Sequence, residues 1–586
     1  MGIVVAGSMA AVANAQDFVA WAVNDGEKVK RDDLNNPNKA GNSAWDGKKI
    51  GLFGGRNEML AFQVIVEGGP KGLEAVSLAL PQLTQKGGTG KIVYAAPAAD
   101  PTQYVGRPIQ LFSQHYLEVK EATNANWASV PGRPSAPKGY TGWIPTVLVP
   151  ENAKAGEGGF PLKAAANQNQ GFWIEIYATR DLPPGTYEGA VTITADGAKK
   201  TIPVELEVLN FVLPDANSLP AMFYFEPEGV ELYHGKDLQE AYHRLAHRHR
   251  IELVNTATED IRTHTGRFNG KDFTAGKGYE GPGAGVGNRI IPRSFYGPGK
   301  SFDEQASAWK AADEWIKALK DFPGAITFLY MPDEPRAEAF AGIRKIGENI
   351  HSNPGLGKAL PTLVTHAYTD EMKDAIDIWA LPPDCFDPAK VAELKKQGKQ
   401  CWFYNGGRPC VGAVIADSPA TDSRMMAWAA FKHDADGYFY WHADHWQHNS
   451  QMQKSAEERK QDIWVNPVTF DDRGQPNKPL IEQGFINGDG VVVFPGEEKV
   501  HPERDRGVPG PCSSIQLANF RRGMQDHLYL TLARQKGLTA EIEKALGMTV
   551  PKVLGEAPGD GKVNFAETGN AYEQARLLLA KAIANK

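Results

Sequence analysis

The stretch Ile326-Thr-Phe-Leu-Tyr330-Met-Pro-Asp-Glu-Pro335 decides how this chain is read. Residues 326–330 are almost wholly apolar, as expected of a strand buried on both faces of a parallel sheet. Pro332 and Pro335 cannot extend a hydrogen-bonded ladder, so the strand stops before Asp333 and Glu334. Two adjacent carboxylates therefore stand just past the C-terminal end of a buried strand. In a (β/α)8 barrel that end carries the chemistry.

Working outward, strand-like and helix-like stretches alternate from Leu213-Pro214-Asp215 onward. Residues 221–225 and 251–254 read as strands, with a helix over 238–250 between them. Further strands fall at 361–366, 377–380, 401–405 and 438–441, with helices over 337–352, 388–397 and 422–435. Asp387 caps the second of these helices and Pro388 takes its first position. Such alternation implies parallel βα units, about eight of them, with the strand near 289–296 the least marked. We assign 216–485 to a catalytic (β/α)8 TIM-type barrel. Upstream, Leu60–Glu67, Phe172–Tyr177 and Ile202–Val208 are short β-rich runs parted by Gly/Pro turns such as Leu182-Pro-Pro-Gly185. Residues 16–215 thus read as a β-sandwich. Its Gly/Pro/Asn-rich loop over 120–168 is long enough to reach the next domain. Residues 486–586 read as a small C-terminal strand and helices packed on the barrel, the main helix running 513–534.

Composition narrows the class. The 586 residues exceed one ordinary domain, and 42% apolar content supplies large cores. A net charge of −7 gives no electrostatic reason to bind nucleic acid. No stretch is long and apolar enough for a membrane span. Residues 3–12 are apolar and Ala13-Asn14-Ala15 fits a signal-peptidase site, although no Lys or Arg precedes them. Residues 1–15 are read as part of a signal peptide, and the protein as secreted or periplasmic. Cys385, Cys401, Cys410 and Cys512 are an even count that suits an oxidising compartment; four allow three pairings, between which the sequence does not choose, a clip of the short segment between Cys401 and Cys410 being one.

Two close carboxylates repel as anions, so one holds its proton to higher pH. A protonated acid beside an ionised partner is what glycosidic cleavage uses. A common retaining or inverting enzyme needs a second, separated carboxylate. Asp370, Asp384, Asp387 and Asp444 lie near other strand ends, none as restrained as the pair. An adjacent pair without such a partner suits the substrate-assisted exception. Trp402, Tyr404, Trp441 and Trp446 lie on or after the last two strands and suit a sugar platform, with barrel core as the alternative for each. Tyr368 and Asn405 lie just past strand ends and are further substrate-binding candidates. His442, His445 and His448 match no metal motif, so no metal and no cofactor is expected. His243, His247 and His249 read as solvated on a surface helix.

Several segments in order resemble glycoside hydrolase family 123, the β-N-acetylgalactosaminidase family. They are Phe172–Gly189 with Val204–Pro214, His247–Arg250, Asp333-Glu334-Pro335, Trp402–Pro409, Gly437–Trp446, and Gly488–Gly496 followed by Ser514, Leu517, Arg522, Gly523, Asp526, Tyr529 and Leu530. The resemblance implies an N-terminal β-sandwich, a catalytic barrel and a C-terminal element. It also implies Asp333 as the residue that orients the substrate amide, Glu334 as general acid/base, and retention through an oxazoline-like intermediate. The sequence departs from the family pattern at Gln516 and in the Gly-rich 265–300 loop, which bears on sugar identity. The expected partner is a glycan or glycoconjugate carrying a β-linked N-acetylhexosamine. Two rivals stand beside this reading: a glycosidase on a different glycan using two separated carboxylates, and a non-catalytic carbohydrate-binding surface protein.

Overall fold

The computed structural model describes residues 18–255, 261–447, 460–474 and 483–586. Residues 1–15 and His448 lie outside them.

The N-terminal region is built from two facing sheets. One runs, in spatial order, Val19–Asn24, Glu58–Glu67, Asn169–Ala178, Ile109–Val119 and Gly142–Pro150, all antiparallel. The other is centred on the long hairpin Gly185–Ala195 and Ala198–Val212, with Ile50–Arg56 pairing parallel to its outer strand. Alternate residues such as Phe62, Val64, Ile174, Ile176, Val191 and Val204 close the space between the sheets. Burying such β-branched and aromatic faces against each other is what holds two twisted sheets together.

The chain then winds through a parallel sheet in the order Glu252–Val254, Ala221–Tyr224, Gly437–Tyr440, Gln400–Tyr404, Ile378–Leu381, Thr362–Thr365 and Leu329–Tyr330. Side chains alternate strictly across it. Met222, Tyr330, Leu363, Ala380, Trp402, Tyr404 and Phe439 share one inner cluster. Their neighbours Phe223, Leu329, Val364, Leu381, Phe403 and Tyr438 pack outward against the helices. The sheet is thus the wall of a parallel half-barrel. Past Leu329–Tyr330 the segment 289–294 runs alongside in parallel, through the bridges Ile290 to Ile326 and Ser294 to Leu329. On its far side the Glu252 carboxylate accepts the backbone N–H groups of Arg289 (2.9 Å) and Ile290 (2.7 Å). Asp387 caps the helix Pro388–Lys396 as expected, accepting from the N–H groups of Ala389 and Lys390.

Three expectations need correction. The tail helix Ile515–Gln535 does pack on the half-barrel helix Thr421–Lys432, but the tail strands do not: Val493–Pro495 and Pro511–Ser514 extend the N-terminal sheet, with Ser513 opposite Leu148. The reason is physical, since Gly142–Pro150 would otherwise present an open edge. The helix Gln239–Arg248 is not a solvated one. It packs against that same tail strand, so His243 and His249 are buried, and His247 stacks on Phe273. All four cysteines are free thiols, Cys401 and Cys512 in the core, so the clip of Cys401 to Cys410 is not formed.

A buried charge network fastens the parts together. Arg424, on the helix Thr421–Lys432, pairs with Asp526 (2.6 Å) and Glu573 (2.7 Å). Arg522 pairs with Asp25 (2.8 Å) and Glu573 (2.6 Å), and Arg576 with Asp526 (2.5 Å) and Glu58. The sandwich supplies Asp25 and Glu58, the half-barrel Arg424, and the tail helices the rest. Among the described residues no helix is long and apolar enough to cross a membrane.

Candidate active site

The inner face of the half-barrel determines what reaches the C-terminal rim. Counting by twos along each strand brings Tyr224, Tyr330, Thr365, Tyr404 and Trp441 to its upper layer. Tyr296, from the neighbouring segment, joins them. Its ring lies 4.8 Å from Tyr224 and 5.4 Å from Tyr330, and its hydroxyl donates to the Trp441 carbonyl (2.7 Å). The floor of the mouth is therefore aromatic and edged with hydroxyls.

Asp333 and Glu334 stand above this floor, both exposed to solvent. Glu334 has φ +40°, a left-handed conformation that a glutamate adopts only under constraint. The constraint is visible. The Glu334 N–H donates to Thr365 Oγ1 (3.1 Å), and that hydroxyl donates to Asp333 Oδ1 (2.8 Å). The Tyr330 hydroxyl lies 2.8 Å from the same Oδ1 and 3.2 Å from Thr365 Oγ1. With one proton to give, it serves the shorter contact. Asp333 Oδ1 thus receives two O–H donors, which fixes the carboxylate plane. Glu334 is fixed separately, by the Tyr404 hydroxyl donating to Oε1 (2.7 Å).

The pair differs electrostatically. Protein packed around Glu334 raises its pKa above the ordinary glutamate value, and the adjacent Asp333 charge raises it further. The Tyr404 hydrogen bond and His366 act in the opposite sense without cancelling the rise. A carboxyl that keeps its proton beside a firmly held partner is equipped to donate to a leaving group.

The other predicted residues divide. Tyr404 belongs to the site. Trp441 also lies at the rim, its indole N–H donating to Asp489 Oδ1 (2.9 Å). Asn405, at φ +54°, accepts the Trp441 backbone N–H (3.0 Å) and so positions that ring. Trp402 is 0% exposed. It points inward two residues before Tyr404, one layer deeper, edge-on to Phe328. Trp446 is 1% exposed and donates its N–H to the Val493 carbonyl. Neither can offer a face to a sugar; both are core. Tyr368 lies on the outer side of the sheet, tilted on Trp379 and bonded to Asp370, and is not brought to the pair.

Three of the four rival carboxylates are committed elsewhere. Asp444 is buried against His442 (3.3 Å) and accepts the Glu226 N–H (3.0 Å). Asp370 holds Tyr368, and Asp387 caps its helix. The long N-terminal loop does reach the rim: the Arg408 N–H donates to the Ala128 carbonyl (3.0 Å), three residues past Asn405. Tyr224, Tyr296, Tyr330, Thr365 and Asp489 were not singled out from the sequence. Strict alternation carried to each strand end marks Tyr224, Tyr330 and Thr365; nothing local marks Tyr296 or Asp489.

A parallel half-barrel bearing a restrained carboxylate pair at its C-terminal rim has the build of a glycoside hydrolase. Residues 311–533 match the family model described as glycoside hydrolase 123, catalytic domain. The chain is a glycoside hydrolase, and over residues 311–533 it is similar to the family 123 catalytic domain. A solved family 123 glycoside hydrolase from Clostridium perfringens, described in connection with glycolipid glycan hydrolysis, aligns over 97% of both chains with 14% identity and a TM-score of 0.60. That match extends the shared fold to nearly the whole chain. A β-glucuronidase from Parabacteroides merdae covers 63% of this chain and 47% of its own, at 10% identity and a TM-score of 0.20, and carries no argument. No curated protein sequence matches.

Proposed function

We propose that this protein hydrolyses a β-linked N-acetylhexosamine, with N-acetylgalactosamine as the first choice, by a retaining, substrate-assisted mechanism. The observation that carries the reading is the unequal anchoring of the adjacent pair. Asp333 is held by two hydroxyl donors, whereas Glu334 has a raised pKa and one donor. Neighbouring carboxylates on one turn serve one substrate centre, whereas the two-carboxylate mechanisms flank it from opposite faces.

Asp333, through Oδ2, takes the N–H of the substrate's 2-acetamido group and turns its carbonyl oxygen toward the anomeric carbon. That oxygen forms a bond to the carbon as the glycosidic C–O bond breaks, and Glu334 gives its proton to the departing oxygen. The product is a cyclic oxazolinium ion, still carrying the amide N–H, whose positive charge Asp333 offsets. Glu334, now a carboxylate, removes a proton from water as the water attacks the same carbon and the ring opens. Two inversions give net retention. Trp441 offers a partly exposed ring to the sugar's C–H face.

The same proposal includes a complete (β/α)8 barrel, with the 289–294 segment as its third strand. It also places the protein outside the cytoplasm, on the character of residues 1–15. Because the Clostridium perfringens relative is described for glycolipid glycan hydrolysis, a glycolipid glycan is a reasonable natural substrate to try.

The test is hydrolysis of 4-nitrophenyl N-acetyl-β-D-galactosaminide by wild type and Glu334→Gln, with an N-acetylhexosamine-derived thiazoline as inhibitor. The reading expects turnover, loss of most of it in the variant, and inhibition by the thiazoline. Turnover of acetamido-free glycosides with no effect of the thiazoline would overturn it.

A further inference from the structure

Opposite the catalytic pair the rim carries a third carboxylate that the reaction does not use. On the strand Ala221–Tyr224, Met222 and Tyr224 face the interior and Phe223 and Phe225 face out. Glu226 is the next residue on the inward register, and its backbone is still extended. Its side chain is about half exposed, at 47%. It is nonetheless held: Oε2 lies 3.6 Å from His442 Nε2, and His442 Nδ1 lies 3.3 Å from Asp444 Oδ1. Asp444 Oδ1 also accepts the Glu226 backbone N–H. His442 is buried and edge-on to Tyr224. The Tyr224, Tyr296 and Tyr330 rings, in contact one after the next, lead from this group to Asp333.

A simple surface ion pair would not need a buried histidine backed by a second, buried carboxylate. Here the three groups fix one carboxylate while leaving part of it open to the mouth. An ionised carboxylate is acceptor-only, with two oxygens, so it suits a pair of hydroxyl donors. A pyranose whose anomeric carbon sits at Asp333–Glu334 extends its far side across the aromatic floor, toward Glu226.

We infer that Glu226, braced by His442 and Asp444, is a specificity-determining residue that accepts the substrate hydroxyls remote from the anomeric carbon, those on C4 and C6. The inference rests on the reaction proposed above and adds to it the recognition of the sugar's distal edge. His442 and Asp444 act through Glu226 and position it; they do not touch the sugar.

The experiment is a cycle of substrate and residue changes. Wild type, Glu226→Gln and Glu226→Asp are compared on 4-nitrophenyl N-acetyl-β-D-galactosaminide and on its 4-deoxy and 6-deoxy analogues, reading kcat and KM separately. Hydrogen bonds to a charged group are strong, so wild type should lose roughly 10- to 100-fold in kcat/KM on at least one deoxy analogue. Each variant should show a comparable loss on the parent substrate and little further loss on that analogue. Glu226→Asp keeps the charge near His442, so a folding defect confined to Glu226→Gln does not decide the outcome. Losses that multiply, with the variants as sensitive to the missing hydroxyl as wild type, would overturn the inference and leave the reaction standing. Absence of wild-type turnover on all three would instead overturn the reaction, and the inference with it.

Discussion

The Tyr404 hydroxyl donates to Oε1 of Glu334 across 2.7 Å, from a strand three removed in the sheet from the one that carries the pair. A phenol donating to a carboxylate favours the ionised form, while protein around Glu334 and the Asp333 charge favour the protonated one. The acid at the centre of the site is therefore set by opposed forces, and the Tyr404 contribution is the one that deleting a single oxygen atom removes.

Tyr404→Phe should raise the Glu334 pKa further. Donation to the leaving group needs the protonated carboxyl, so activity falls on the alkaline side as pH passes that pKa. In the variant the alkaline limb of kcat/KM should move to higher pH, with a few-fold change at the optimum. A pH profile of both proteins checks this; a limb that stays or moves down would show that Glu334 does not set it.

Asp333→Asn and Glu334→Gln should separate by leaving group. Loss of a general acid costs about 10²- to 10⁴-fold, and least where the leaving group needs no proton. Glu334→Gln should thus hurt an alkyl or sugar aglycone far more than a nitrophenyl one. Asp333→Asn should slow both, because the acetamido attack that Asp333 orients is part of the bond-breaking step whatever the leaving group. Equal profiles would contradict the division of roles.

Trp402→Phe and Trp402→Ala test the assignment of that ring to the core. Removing a buried tryptophan costs about 3–5 kcal/mol, less for the partial replacement. Urea unfolding should show that loss for the alanine variant, with KM for Trp402→Phe close to wild type. A raised KM with unchanged stability would restore the platform role.

Arg576→Met should be among the most destabilising single changes. It removes the guanidinium that joins Glu58 to Asp526 in a fully buried setting and leaves each acid with one arginine, Arg522 and Arg424, and breaking such a pair costs about 3–5 kcal/mol. The loss should appear in the unfolding midpoint and as a weaker association of sandwich with half-barrel in limited proteolysis.

Much of this was legible in the sequence because the signals are local. The strand ending at Tyr330 and the pair behind it are marked by an apolar run, then two prolines. The cap at Asp387 is local as well. The fate of Trp402 and Trp446 was not, because an aromatic residue on a strand end looks the same whether its layer is the rim or one step below. Only the register of the neighbouring strands separates Trp402 from Tyr404. Tyr368 follows a strand as Asn405 does, but the loop turns it outward onto Trp379. Glu226 and His442 come together because the first and last strands of the parallel region are neighbours, a pairing of residues more than two hundred positions apart.

The sheet seam between Leu148 and Ser513 has a bearing on synthesis. When the ribosome has made the first two hundred residues, the strand Gly142–Pro150 lacks its neighbour, and the acids Asp25 and Glu58 lack their arginines. At roughly 5–20 residues per second, the missing strand emerges on the order of half a minute later. The nascent sandwich must wait with a naked edge until the catalytic portion has been threaded past it. For the same reason residues 311–533 cut out alone would carry the paired strands Val493–Pro495 and Pro511–Ser514 without the N-terminal sheet they extend, so an expression trial should begin from the whole chain.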